Sequence, residues 1–166
     1  MTPTATWTVE ARDWDDPQGA ALRASQRAEL DERYGCDDHE PGPVPSAEDV
    51  SVFLMAFGPG GEAIGCGALR GLDAGSAEIK RMYVAPGSRG SGVAAALLAA
   101  LEDAARERGW TTLKLETGEE QPDAIRFYER EGYHRIPRFG HYIDWDISVC
   151  YAKDLLEAGV RTPGSA

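Results

Sequence analysis

Apolar residues recur along this chain in two ways: as short unbroken runs of strand length, and at the three- and four-residue intervals of a helix face. "TWTVEAR", residues 6–12, reads as a short first strand. Residues 17–34 read as a helix with Pro17 in the first turn and Leu22 and Leu30 on its apolar side. "GCDDHEPGPVPSAED", residues 35–49, is rich in proline and acid and reads as a loop. "SVFLMAF" and "AIGCGAL" flank the turn "GPGGE" and predict a hairpin, and "EIKRMYV", residues 78–84, follows as a further strand.

Pro86 ends that strand, and "SRGSGVAAALL" then runs a glycine-rich loop into a helix. Over residues 92–108, Val93, Leu97, Leu101, Ala104 and Ala105 repeat at helical spacing, with Arg106, Arg108 and Gly109 suited to the C-terminal end. "TTLKLET", residues 111–117, is another strand. Pro122 opens a short helix that Gly132 closes. "YHRI" and "ISVCYAK" are final strands separated by "PRFGHYIDWD". The pattern predicts one α/β domain over residues 1–158 and a disordered tail over 159–166, with hairpins early and βα units later.

The formal net charge of −11 argues against general binding to nucleic acid or to anionic membrane. No apolar run reaches the roughly 18 residues of a membrane helix. The N-terminus lacks the basic and apolar regions of a signal peptide. Cys36, Cys66 and Cys150 are scattered and odd in number, and His39, His134 and His141 have no ligand spacing. The expectation is therefore a cytoplasmic protein without a metal or a disulfide framework. Arg126, Arg130, Arg135 and Arg138 gather late in the acidic chain, which leaves room for a local basic site.

A helix N-terminus preceded by glycines is suited to an anion, because unpaired N–H groups and the positive end of the helix dipole meet there. There is no Gly-Lys-Ser/Thr, and no Gly-x-Gly-x-x-Gly opens a helix, so the common nucleotide motifs do not apply. "EIKRMYVAPGSRGSGVAAALLAALEDAARERG" instead resembles the core motif of the GNAT superfamily of N-acetyltransferases, with Arg89-Gly90-Ser91-Gly92-Val93-Ala94 at its loop. "LETGEEQPDAIRFYEREGY" resembles the segment that follows in that family, so the likeness is strong over residues 78–133. The fold it implies is a mixed, twisted sheet of about six to seven strands with helices on both faces.

The resemblance implies acetyl-CoA as co-substrate and no metal. Backbone N–H groups of Gly90, Gly92, Val93 and Ala94 are expected to hold the pyrophosphate, with Arg89 and Ser91 in the same loop. Met82, Tyr83 and Val84, splayed by a bulge, are expected to offer backbone groups to the pantetheine amides and the acetyl carbonyl. Gln121 stands where the family often has an asparagine on the pantetheine arm. Tyr128 occupies the family's tyrosine position and implies an acid for the departing sulfur. Glu78 is the first candidate base; on a two-residue alternation it shares a face with Lys80 and Met82. Its alternative is a cross-strand ion pair, and Glu116 is the next candidate base.

The acceptor expected is a primary amine of a small molecule, amino-acid-like, met by Arg138, Phe139, His141 and Tyr142 in the segment 136–146. Arginine there suits a carboxylate. Other readings that stay open are a peptide N-terminal acetyltransferase and a non-catalytic acyl-CoA-binding sensor. A homodimer is compatible with the sequence.

Overall fold

The expected elements all form in the computed structural model, which describes residues 7–36 and 41–156. They are β1 (Thr8–Ala11), α1 (Pro17–Tyr34), β2 (Val50–Phe57), β3 (Ala63–Gly71), β4 (Ser76–Val84), α2 (Val93–Glu107), β5 (Thr112–Gly118), α3 (Pro122–Arg130), β6 (His134–Ile136) and β7 (Ser148–Asp154). Single 3₁₀ turns lie at Pro86–Ser88 and Gly140–Tyr142. The expected tail, residues 159–166, lies outside the described residues.

Local signals set the helix ends. Asp16 caps α1 by accepting from the N–H of Gln18 at 2.8 Å and of Gly19 at 3.4 Å, and Pro17 follows at a position where no N–H is needed. Gly35, at φ 71°, ends the helix in the left-handed region.

The strands form one sheet in the order β1-β2-β3-β4-β5-β7-β6. Only β4 and β5 pair in parallel, joined through α2; the other neighbours are antiparallel. Alternation along β2 divides the core between two faces. Val52, Leu54 and Ala56 join Leu97, Leu98 and Leu101 of α2, and α3 contributes Tyr128 to the same side. Phe53, Met55 and Phe57 pack on the other side with Leu22 of α1. Each fully buried leucine of α2 contributes about 1.5–3 kcal/mol of transfer free energy. The run "GCG" in β3 permits the close approach of α2: a Cβ at Gly65 would lie 2.9 Å from Leu97 Cδ1, and one at Gly67 would lie 2.9 Å from Leu101 Cδ1.

Two features of β4 position the site. Its ladder with β5 covers only Ser76, Ala77 and Glu78, opposite Thr112, Leu113 and Lys114. Beyond these pairs the strands diverge, while β4 stays paired to β3 and β5 stays paired to β7. Second, β4 carries a bulge. Between the pairs Ala68↔Lys80 and Cys66↔Tyr83, β3 has one residue and β4 has two, Arg81 and Met82. Arg81 takes φ 56°, the one non-glycine residue with positive φ among the described residues.

The bulge corrects one expectation about facing. Glu78 and Lys80 do share a face, but Met82 does not share it. The extra residue reverses the alternation, so Met82 packs into the core beneath α2 and Tyr83 turns to the α1 side.

Candidate active site in the split between β4 and β5

The diverging strands open a cleft of about 420 Å³ that α1 covers. Its walls include Arg23, Gln26 and Arg27 of α1, Ile79 to Met82 of β4, Leu115 to Thr117 of β5, and Gln121 and Tyr128 of α3. The carbonyls of the two bulged residues are taken up by side chains: Cys66 Sγ donates to Arg81 O at 3.3 Å and Gln26 Nε2 to Met82 O at 2.9 Å. Among the described residues, three buried polar atoms on this wall have no hydrogen-bond partner, Arg23 Nη1, Gln26 Oε1 and Thr117 Oγ1. Buried polar atoms without partners are uncommon, and three on the wall of one cleft suit a polar ligand.

At one end of the cleft β4 turns into the glycine loop. Gly90 and Gly92 take φ 80° and 98°, conformations that other residues rarely adopt. Gly92 is the N-cap of α2, and no side chain caps its first turn. The N–H groups of that turn therefore lie without a side-chain cap in the positive field of the helix. Arg89 lies in the loop, but its side chain turns back, donating to Val84 O at 2.8 Å and to Glu29 at 2.8 Å. This tethers the loop to the end of β4 and to α1.

Tyr128 is 7% exposed on the cleft wall, edge-on to Tyr133. Its hydroxyl makes no hydrogen bond among the described residues, and burial raises its pKa above the ordinary phenol value. It is held as a neutral proton donor. Gln121 also lines the cleft, and its Nε2 donates to the hydroxyl of Tyr34 at 3.0 Å.

The two carboxylates have different places. Glu116 lines the cleft and accepts from Ser148 Oγ at 2.7 Å. Glu78, 2% exposed, is not on the cleft wall. Its Oε1 accepts from Arg70, its cross-strand partner, at 3.3 Å, and its Oε2 accepts from Tyr142 at 2.6 Å and lies 3.6 Å from Lys80 Nζ. This is the cross-strand ion pair that the sequence left as the alternative.

The acceptor residues expected in 136–146 do not line the cleft. Tyr142 is buried, and Lys80 donates to its hydroxyl at 2.9 Å. Phe139 packs edge-on against Tyr142, and His141 packs at the backbone of Gly42. Arg138 donates to Trp145 O at 2.7 Å, pairs with Asp146 at 3.5 Å, and lies in a separate groove with Arg135, Ile136 and Cys150. Val44 and Pro45 reach the cleft instead, together with the α1 face. The spacing of Arg23, Gln26, Arg27, Leu30 and Tyr34 on one helix face was the available signal for that wall. Among the described residues no His/Cys/Asp/Glu group could hold a metal ion, and no helix is long and apolar enough to cross a membrane.

A mixed sheet split at a bulged strand, with an uncapped glycine-led helix at the end of the split, is the arrangement that the sequence resemblance implies. The sequence profile of the acetyltransferase (GNAT) family matches residues 9–133, and the chain belongs to that family. It is 38% identical over 104 residues to an IAA acetyltransferase of Azospirillum brasilense, which spans 62% of this chain and 67% of that protein. It is 43% identical over 56 residues to an aminoalkylphosphonate N-acetyltransferase of Salmonella typhimurium, which spans 34% of this chain and 36% of that one. Among solved structures, one from Klebsiella pneumoniae, assigned to the acyl-CoA N-acyltransferases, superposes with a TM-score of 0.79 at 36% identity, over 92% of this chain and 99% of that chain. A GNAT family acetyltransferase from Elizabethkingia anophelis with acetyl-CoA bound shares the fold, with a TM-score of 0.68 at 18% identity over 91% and 99%. The protein is an acetyltransferase of the GNAT family.

Proposed function

We propose that the protein transfers an acetyl group from acetyl-CoA directly to a primary amine of a small, amino-acid-like molecule. The observation that carries this reading is the cleft itself. It runs through the β4–β5 split and brings together the bulged backbone of β4, Tyr128 and Glu116. Acetyl-CoA supplies a thioester already activated for attack by an amine.

The residues present suit that co-substrate. The first-turn N–H groups of α2, with Gly90 and Gly92, would hold its pyrophosphate, and the backbone of Met82, Tyr83 and Val84 would meet its pantetheine arm. Tyr128, kept neutral by burial, would give its proton to the departing sulfur. Of the two carboxylates, Glu116 is favoured as base because it lines the cleft, whereas both oxygens of Glu78 are already engaged by Arg70 and Tyr142. A cysteine relay is disfavoured: Cys66 is buried, with its thiol pushed up to about 12 by desolvation, so little thiolate is present. The small acceptor is supported by the modest size of the cleft, about 420 Å³, and by the relative named above for an aminoalkylphosphonate.

The test is thiol release from acetyl-CoA with a panel of small amines and short peptides. Release that rises with a small amine, together with its acetylated product by mass spectrometry, is expected. Coenzyme binding without release in the presence of any amine would make the protein a sensor, and release with peptides alone would move it to the N-terminal acetyltransferases.

A further inference from the structure

In a protein of net charge −11, the cleft wall carries Arg23, Arg27, Lys80 and Arg81 against one carboxylate, Glu116. Three of these cations, Arg27, Lys80 and Arg81, are engaged within the protein. Arg27 pairs with Asp31 at 3.3 Å, and Lys80 is held by Tyr142 and Glu78. Arg23 differs from all three. Among the described residues it forms no ion pair, and its buried Nη1 has no hydrogen-bond partner. Its guanidinium is stacked 3.7 Å from the ring centre of Trp14 and 5.2 Å from that of Phe53, which fixes the plane of the fork. Leaving a buried charged donor unpaired is costly, and the arrangement becomes favourable once an oxyanion accepts from it. The two cleft atoms that also lack partners, Gln26 Oε1 and Thr117 Oγ1, place further polar capacity on the same wall.

We infer that Arg23 is the specificity residue of the cleft and recognises an acid group carried by the acceptor amine. The substrate class is then a primary amine bearing a carboxylate or a phosphonate, oriented by a planar fork that is already stacked in place. This rests on the acetyl-transfer reading. It places acid recognition on α1 and not on Arg138, which lies outside the cleft with its Nη1 engaged by Trp145 and Asp146.

The experiment compares amines in matched pairs, scored by thiol release at equal concentrations of free amine. Amino carboxylates such as β-alanine are set against their amides, and aminoalkylphosphonates against the corresponding amino alcohols; the two arms separate the two acids. The wild type is expected to prefer the acidic member of at least one pair. Arg23→Gln is expected to raise KM for that acid at least about tenfold, equivalent to roughly 1.4 kcal/mol. KM for its neutral partner and for acetyl-CoA should stay within about twofold, since neither is held by the lost charge. Arg23→Lys should retain part of the preference, because the charge remains while the fork is lost. If Arg23→Gln does not fold, raising the ionic strength of the wild-type assay is the second measurement: KM should rise for the acid and not for its neutral partner. A stacking role alone predicts a lower melting temperature with equal change for both members of a pair, and that result overturns the inference. Release that favours neutral amines overturns it while leaving the transfer reading intact. The absence of release with every amine tested removes both.

Discussion

Glu78→Gln is the substitution that separates a structural carboxylate from a catalytic one. The side chain is 2% exposed and sits between Arg70 at 3.3 Å and Lys80 at 3.6 Å, with the Tyr142 hydroxyl at 2.6 Å. Glutamine has nearly the same shape, so no cavity opens and the change is one of charge alone. It leaves Lys80, itself 5% exposed, with a neutral partner. Removing one member of a buried ion pair costs about 3–5 kcal/mol. The low end applies here, because the amide oxygen still accepts from Tyr142 and Arg70 keeps Asp49 at 3.3 Å. For a domain of this size each kcal/mol lowers the melting temperature by about 2–4 °C, so a fall of roughly 6–12 °C is expected in a circular-dichroism melt. The acidic limb of the pH–rate profile should remain in Glu78→Gln and disappear in Glu116→Gln, since the cleft carboxylate is the one proposed to titrate with the amine. An unchanged melting temperature together with loss of the acidic limb in Glu78→Gln would refute this reasoning and return the base to Glu78.

Tyr128→Phe should lower turnover by about 10²- to 10⁴-fold, the span of general acid catalysis, with the KM for acetyl-CoA little changed in the thiol-release assay; full activity would mean that another group protonates the sulfur. Gly92→Glu puts a carboxylate and a Cβ at a residue with φ 98°, where the first turn of α2 is uncapped; calorimetry should find coenzyme A binding abolished while the far-ultraviolet spectrum persists. A thiol reagent at neutral pH should modify exposed Cys36 and spare Cys66 and Cys150, because burial pushes those thiols up to about 12 and about 11. Intact-mass measurement should therefore give one adduct in the native protein and three after denaturation.

Much of this protein was legible from residue order because the signals are local. Asp16-Pro17 and Gly35 bound α1, the "SRGSG" loop announces the start of α2, and the unbroken apolar run of β2 suits a strand covered on both sides. The family segment over residues 78–133 also placed Tyr128 and the glycine loop, since spacing along one strand–turn–helix unit is preserved in sequence. What sequence could not decide are relations between distant elements. A positive φ at Arg81 is not announced by an arginine; it is imposed by pairing with β3, and it alone reverses the facing of Met82 and Tyr83. Glu78 and Glu116 are alike as strand carboxylates, and only the register that sets Arg70 opposite Glu78, and the split that bares Glu116, distinguish them. Arg138 looked apt for a carboxylate because arginines cluster near it in sequence, yet the chain sets it outside the cleft and turns its Nη1 onto Trp145 and Asp146. Arg23, amid the polar residues of α1, gave no such sign, because an unpaired charge is a property of three-dimensional surroundings and not of the residue that carries it.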